Sequence, residues 1–391
     1  MPRVLLAWEG GAGRGHLTTL KRVADALCAP AMIDAALCRM EHARELEGAC
    51  GAVFQAARLG YDASARKALG VVTSTWGEFL AEIGFRDPAF LVRQIGWWRE
   101  VIVQRRVGLV VADFAPCATL AARTLGVASV AMGNGYALPP AELERFPPFI
   151  AEHATRIHDE RDIVAAVGEA LAHFGAPPIA HAPEIYGCDD QLVRSLPFLD
   201  PYRAQRTRDY LPPVDSIAPA ERGDEIFGYF SSGELDDPAL VEALLALALP
   251  VRMYAPGATD DTRARLAAAS HIVVEAAPVP PDLIARRSRL MIHAAQHGTL
   301  CLGLAAGLPH IATPQHLEQE YHARKGQEAG VLARLPRAAD ASALRASIRA
   351  AYEDDAMRAR ARALAQEVRP LVSVDSRAII RARLDGVMTG R

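Results

Sequence analysis

The sequence is short of the features that would fix its chemistry at once. Lysine occurs only at Lys21, Lys67 and Lys325, and every other basic residue is arginine. With 43 basic against 46 acidic residues the net charge is −3. That is too near neutral for an electrostatic grip on nucleic acid or an anionic membrane. No CxxC pair occurs, and the six cysteines (Cys28, Cys38, Cys50, Cys117, Cys188, Cys301) have no histidine at zinc spacing. Neither a disulfide frame nor a metal site is expected from them. No apolar run approaches the ~20 residues of a membrane span. The first nine residues also lack the charged start and long apolar stretch of a secretory leader. These absences predict a cytoplasmic protein with no nucleic-acid partner and no integral membrane span.

What is present is length and alternation. A chain of 391 residues exceeds one ordinary core, so two domains are expected. "RVLLAW" reads as a strand, and "HLTTLKRVADALC" after it places Leu17, Leu20, Val23, Ala24 and Leu27 on one helical face. "GLVVADF" (108–114) and "VASVAMG" (127–133) are further strands, separated by a helix that stops at Gly126. The pattern lapses over 198–224, a stretch rich in Pro, Asp and Arg, and then restarts with "EIFGYFSSG". Strands that are apolar on both faces and alternate with helices predict parallel sheets covered by helices. The fold expected is α/β: two tandem doubly wound Rossmann-like domains facing a central cleft. Their predicted spans are 1–200 and 225–372, with a linker at 201–224 and a helix at 373–391 that crosses back to the first domain.

The turn after the first strand is "GGAGRGH" (10–16). A dinucleotide fingerprint needs glycines at i, i+2 and i+5, but Gly11 and Gly13 are followed at the third position by His16. A P-loop ends in Gly-Lys-Ser/Thr, and this turn ends in Gly-His-Leu-Thr. The remaining reading is a turn that sets His16 at a helix start, at the carboxyl edge of the sheet. The positive end of that helix favours a neutral ring that accepts a proton. Asp113 ends a strand that belongs beside the first one, so its carboxylate is expected to orient the imidazole. Each residue alone also reads blandly, His16 as a helix start and Asp113 as a helix cap.

With these residues the chain resembles the GT-B glycosyltransferases, particularly bacterial relatives of the UDP-glycosyltransferase family. "GxGRGH" and "VVADFAPCATLAARTLGVASVAMG" carry the first part of the resemblance. It implies that His16 deprotonates an acceptor hydroxyl, with Asp113 supporting it. The second part is "HAAQHGTLCLGLAAGLPHIATPQHLEQEYHA" (293–323), similar to the family's donor-binding segment at Gly298-Thr299, Gly307, Pro309, Pro314 and Glu318-Gln319. Ala294-Ala295-Gln296 departs from the His-Gly-Gly of that family. Pro278 stands ahead of Val279-Pro280, where the family often has an aromatic ring on the nucleobase.

Read physically, a helix beginning near Gly298-Thr299 offers its dipole and N–H groups to a diphosphate with no metal. Gly307-Leu308-Pro309 reads as a helix stop. The resemblance implies donor contacts at Ser231, Ser232, Gly233, Val279, His293, Gln296, His297, Gly298, Thr299, Glu318 and Gln319. It implies acceptor contacts at Gly15, Trp76, Phe79, Trp97 and Asn134. His293 reads equally as a core histidine, and most of the aromatic residues of 76–98 as helix packing. The function implied is metal-independent, inverting transfer of a sugar from a nucleoside-diphosphate sugar, the co-substrate, to a small and partly apolar hydroxyl acceptor, with no other cofactor. A nucleotide-sugar 2-epimerase or hydrolase, or a silent nucleotide-sugar-binding partner protein, stands as the alternative. The expected state is a monomer or homodimer.

Overall fold

The computed structural model of the protein describes residues 2–390 except 12, 71, 72, 154, 221, 222 and 337. It divides into two compact units, Met1–Leu211 with Asp375–Arg391, and Pro212–Val374.

The first unit is built on six parallel strands: β1 (Arg3–Trp8), β2 (Ile33–Leu37), β3 (Ala52–Gln55), β4 (Val107–Ala112), β5 (Ala128–Gly133) and β6 (Asp190–Val193). Their order is β3-β2-β1-β4-β5-β6. β1 lies centrally, with Leu5 opposite Asp34 on one side and Val110 on the other. Val4 to Ala7 and Leu109 to Val111 are fully or almost fully buried, as a sheet covered on both faces requires. The helix Gly15–Leu27 buries Leu17, Leu20, Val23, Ala24 and Leu27 against it. Each of the leucine and valine side chains contributes roughly 1.5–3 kcal/mol of burial. That is enough to hold the helix start beside the strand end.

Residues 198–211, whose composition predicts a connector, pack on this unit. Buried Asp200 accepts from Arg206 Nε at 2.7 Å and from the Tyr210 hydroxyl at 2.8 Å. The C-terminal helix Ser376–Thr389 also belongs here. Its Ile380 and Leu384 join the core around Leu20 and Leu27, and Arg383 clamps the buried Asp190 carboxylate.

The second unit repeats the plan with β7 (Glu225–Tyr229), β8 (Val251–Tyr254), β9 (Ile272–Val274), β10 (Ser288–His293), β11 (His310–Ala312) and β12 (Leu332–Arg334). The order β12-β11-β10-β7-β8-β9 is the same topology, with β7 and β10 in the places of β1 and β4. In such sheets the order reverses between the first and fourth strands, and ligands bind beyond the carboxyl ends there. Among the described residues no helix is long and apolar enough to cross a membrane.

Candidate active site

In the first unit the reversal point lies between β1 and β4. His16 is the second residue of the helix after β1, and Asp113 directly follows β4. They meet with His16 Nδ1 at 3.0 Å from Asp113 Oδ1. A carboxylate accepts only, so Nδ1 carries the hydrogen of this bond, and in the neutral ring the lone pair lies on Nε2. The His16 side chain is 22% exposed and that of Asp113 6%, so the ring reaches solvent and its orienting partner does not. The indole of Trp8 stacks on the imidazole at 5.1 Å, fixing its plane. Gly11 explains the glycine turn. Its φ is +86°, and a Cβ there would lie 2.7 Å from His16 Nε2. The residue gives the turn its left-handed step, and any side chain there would crowd that nitrogen.

The turn after β4 is held under strain. Phe114 has φ +46°, a conformation that costs a bulky residue about 1–3 kcal/mol. Glu9 secures it at both ends: its N–H donates to Phe114 O at 3.2 Å, and its Oε2 accepts from Cys117 N at 3.0 Å. Glu9 is fully buried, and desolvation pushes its pKa up to about 8 against the pull of backbone N–H groups at Cys117 and Ala118. It is therefore a neutral acid at pH 7.

Phe114 begins an aromatic wall next to His16, their ring centroids 6.4 Å apart. Trp76 and Phe79 reach Phe114 at 5.6 and 6.0 Å, Tyr136 meets Trp76 at 5.8 Å, and exposed Tyr61 meets Phe79 at 6.1 Å. Trp76 is itself buried, and its indole N–H donates to the Tyr186 hydroxyl. Trp97 is not brought to this wall: its ring packs edge-on against Trp98, at 4.8 Å. Asn134 follows β5 and accepts from Ala137 N at 2.9 Å, closing a turn. Gly15 is exposed, with open space where a Cβ would stand. Trp8, Glu9, Phe114 and Tyr136 were not singled out by the sequence reading. The signal available was their position, one or two residues from a strand end or glycine turn.

The second unit joins β7 and β10 at its own reversal point. Gln296 Nε2 donates to Ser231 Oγ at 3.0 Å and to Glu234 Oε1 at 3.1 Å, while its Oε1 accepts from Ala294 N at 3.1 Å. Gln296 is thus committed to fastening the two turns together. Glu234, buried and also missed, accepts from Ser232 N at 2.7 Å. Ser232 and Gly233 are exposed, and Val279 packs half-buried against the small core cluster that contains Phe227 and Ile284. His297, Gly298 and Thr299 form the first turn of the helix His297–Ala306, which stops at Gly307 in the left-handed conformation. Gln319 is buried and accepts from Gln315 N at 2.7 Å, whereas Glu318 beside it is half-buried.

His293, expected to touch the donor, lies instead in the core. Ala295 N donates to its Nδ1 at 2.9 Å, so Nε2 carries the hydrogen and donates to His310 Nδ1 at 2.8 Å. Burial drives the pKa of His293 down to about 3 and that of His310 well below its usual value, so the pair is neutral. His322, equally buried, is likewise lowered to about 3. The turn that follows β10 takes a left-handed residue at Ala295, φ +67°.

No family model and no curated protein sequence matches the chain. Solved structures do. The glycosyltransferase VinC in complex with dTDP aligns over 100% of both chains at 15% identity, with a TM-score of 0.68. The calicheamicin glycosyltransferase CalG4 aligns over 100% of this chain and 98% of its own, at 15% identity and a TM-score of 0.69. The spinosyn rhamnosyltransferase SpnG, complexed with spinosyn aglycone, covers 98% of this chain and 100% of its own at 18% identity, TM-score 0.68. At these identities it is the fold that is shared, and the chain has the GT-B fold of these glycosyltransferase structures, two Rossmann-like units in tandem.

Proposed function

We propose that the protein is an inverting glycosyltransferase that moves a sugar from a nucleoside-diphosphate sugar to a hydroxyl on a partly apolar acceptor. The observation that carries this reading is the His16–Asp113 pair at 3.0 Å, flanked by an aromatic wall. The acceptor hydroxyl gives its proton to His16 Nε2 as its oxygen bonds to the anomeric carbon. The bond from that carbon to the diphosphate breaks on the opposite side, and the nucleoside diphosphate leaves with the electron pair. Asp113 stabilises the imidazolium that forms. The helix start at His297, Gly298 and Thr299 receives the diphosphate, where N–H groups and the helix dipole meet the charge as it develops and no metal is required. SpnG binds an aglycone and VinC a thymidine diphosphate. The flat rings around His16 suit an acceptor of the first kind, and a thymidine-diphosphate sugar is the first donor to try.

The test is product formation, read by mass, from UDP-, TDP- and GDP-sugars with polycyclic and macrocyclic acceptors. A donor-only control separates hydrolysis from transfer. His16→Ala is expected to abolish transfer while calorimetry still detects the nucleotide. Unchanged turnover in that variant would refute the base, and a failure to bind any of the three nucleotides would refute the donor site.

A further inference from the structure

The second unit holds a cavity of about 490 Å³ that the proposed reaction does not use. It opens at the amino-terminal edge of the sheet, where Ser288 begins β10 and Gly307 ends a helix. The proposed diphosphate turn follows the other end of β10, a strand of six residues, roughly 17 Å away at the usual rise per residue. Among the described residues three guanidiniums line the cavity: Arg289 from β10, and Arg358 and Arg362 from successive turns of the helix Asp355–Val372. Against them stand two carboxylates, Asp224 and Asp355. Asp355 is 83% exposed and shared, paired with Arg358 and 3.5 Å from Arg289. Arg289 is held by its Nε bond to Tyr352 O at 2.8 Å and by the Tyr352 ring beneath it at 4.8 Å. Its fork is thereby set before any ligand arrives. Burial, with the like charges of Arg289 and Arg362, depresses the pKa of Arg358 against the pull of Asp355.

We propose that this cavity is an anion site that takes the phosphate dianion of a small molecule. Planar guanidinium forks match tetrahedral oxyanions in pairs, and the volume is within the range of small-molecule pockets. The entering phosphate displaces the exposed Asp355 carboxylate and takes over the guanidiniums it shares. This site stands independently of the glycosyl-transfer reading.

Calorimetry at low ionic strength on the full chain tests it, with inorganic phosphate and glycerol phosphate as the two titrants. Arg358→Gln and Arg362→Gln are each expected to weaken phosphate binding about tenfold or more, as for a charged hydrogen bond. Asp355→Asn is expected to tighten it several-fold by releasing its two partners, a gain that a merely damaged fold cannot produce. His297→Ala, at the diphosphate turn, is expected to leave it unchanged. Tighter binding of glycerol phosphate than of phosphate would identify a phosphate monoester as the occupant, and equal binding the free ion; either supports the site. No uptake of phosphate by the wild type at millimolar concentration would overturn it. So would wild-type affinity in both arginine variants, weaker binding in Asp355→Asn, or a loss confined to His297→Ala.

Discussion

Replacing Glu9 by glutamine is expected to stabilise the first unit, by an amount that depends on pH in one direction only. In the native protein Glu9 keeps its proton up to about pH 8, whereas in the unfolded chain it ionises near 4.5. Between those values the unfolded state has released a proton that the native state retains. Native stability from this group therefore falls as pH rises through that window and is level on either side. Each pH unit is worth about 1.4 kcal/mol, so the cost approaches about 5 kcal/mol by pH 8. Glutamine has the same shape, still accepts from Cys117 N and never ionises. The variant should match the wild type below pH 4.5 and gain on it steadily up to pH 8. Urea unfolding followed by tryptophan fluorescence isolates the relevant unit, because Trp8, Trp76, Trp97 and Trp98 all lie in it. An equal difference between the two proteins at pH 5 and at pH 8.5 would show that Glu9 ionises normally and that its burial is not felt.

Gly11→Ala places a methyl against His16 Nε2 in a left-handed backbone. Turnover should fall by about 10²-fold, as for a misplaced catalytic group, with nucleotide affinity measured by calorimetry unchanged. Asp113→Asn removes the carboxylate that holds Nδ1–H, and kcat should drop by roughly 10²–10⁴. Nitrogen-15 shifts of His16 would report the change of tautomer. Arg383→Ala strips the clamp from buried Asp190. The fluorescence-detected urea transition should lose about 3 kcal/mol, and adding Asp190→Asn should restore part of it.

Much of the fold was legible because burial on both faces writes a strand as an unbroken apolar run, as in "RVLLAW" and "GLVVADF". β2 was not, since "IDAAL" is short and carries an acid at its second position. The structure buries Asp34 there because Arg3 donates to it at 3.2 Å. The same limit governs the sites. His16 and Asp113 were readable together because each ends a strand–turn unit and parallel pairing dictates that β1 and β4 are neighbours. His293 and Gln296 sit in the right motif, yet their partners His310, Ser231 and Glu234 come from other segments, and these consume their polar atoms. Periodicity reports which face a residue occupies and says nothing of what waits there. Phe114 was hidden for a related reason: a left-handed phenylalanine is held by Glu9, a contact between residues more than a hundred positions apart.

The tail helix has a consequence for biosynthesis. The first unit gathers Ile380 and Leu384 into its core, and its Asp190 is neutralised by Arg383, yet residues 212–374 are translated in between. The nascent amino-terminal half must leave the ribosome with that face bare, whereas the second unit is one unbroken stretch of chain. Premature termination before 376 would thus leave a sound carboxyl-terminal unit joined to an unfinished partner, with exposed apolar surface of the kind that chaperones and proteases find.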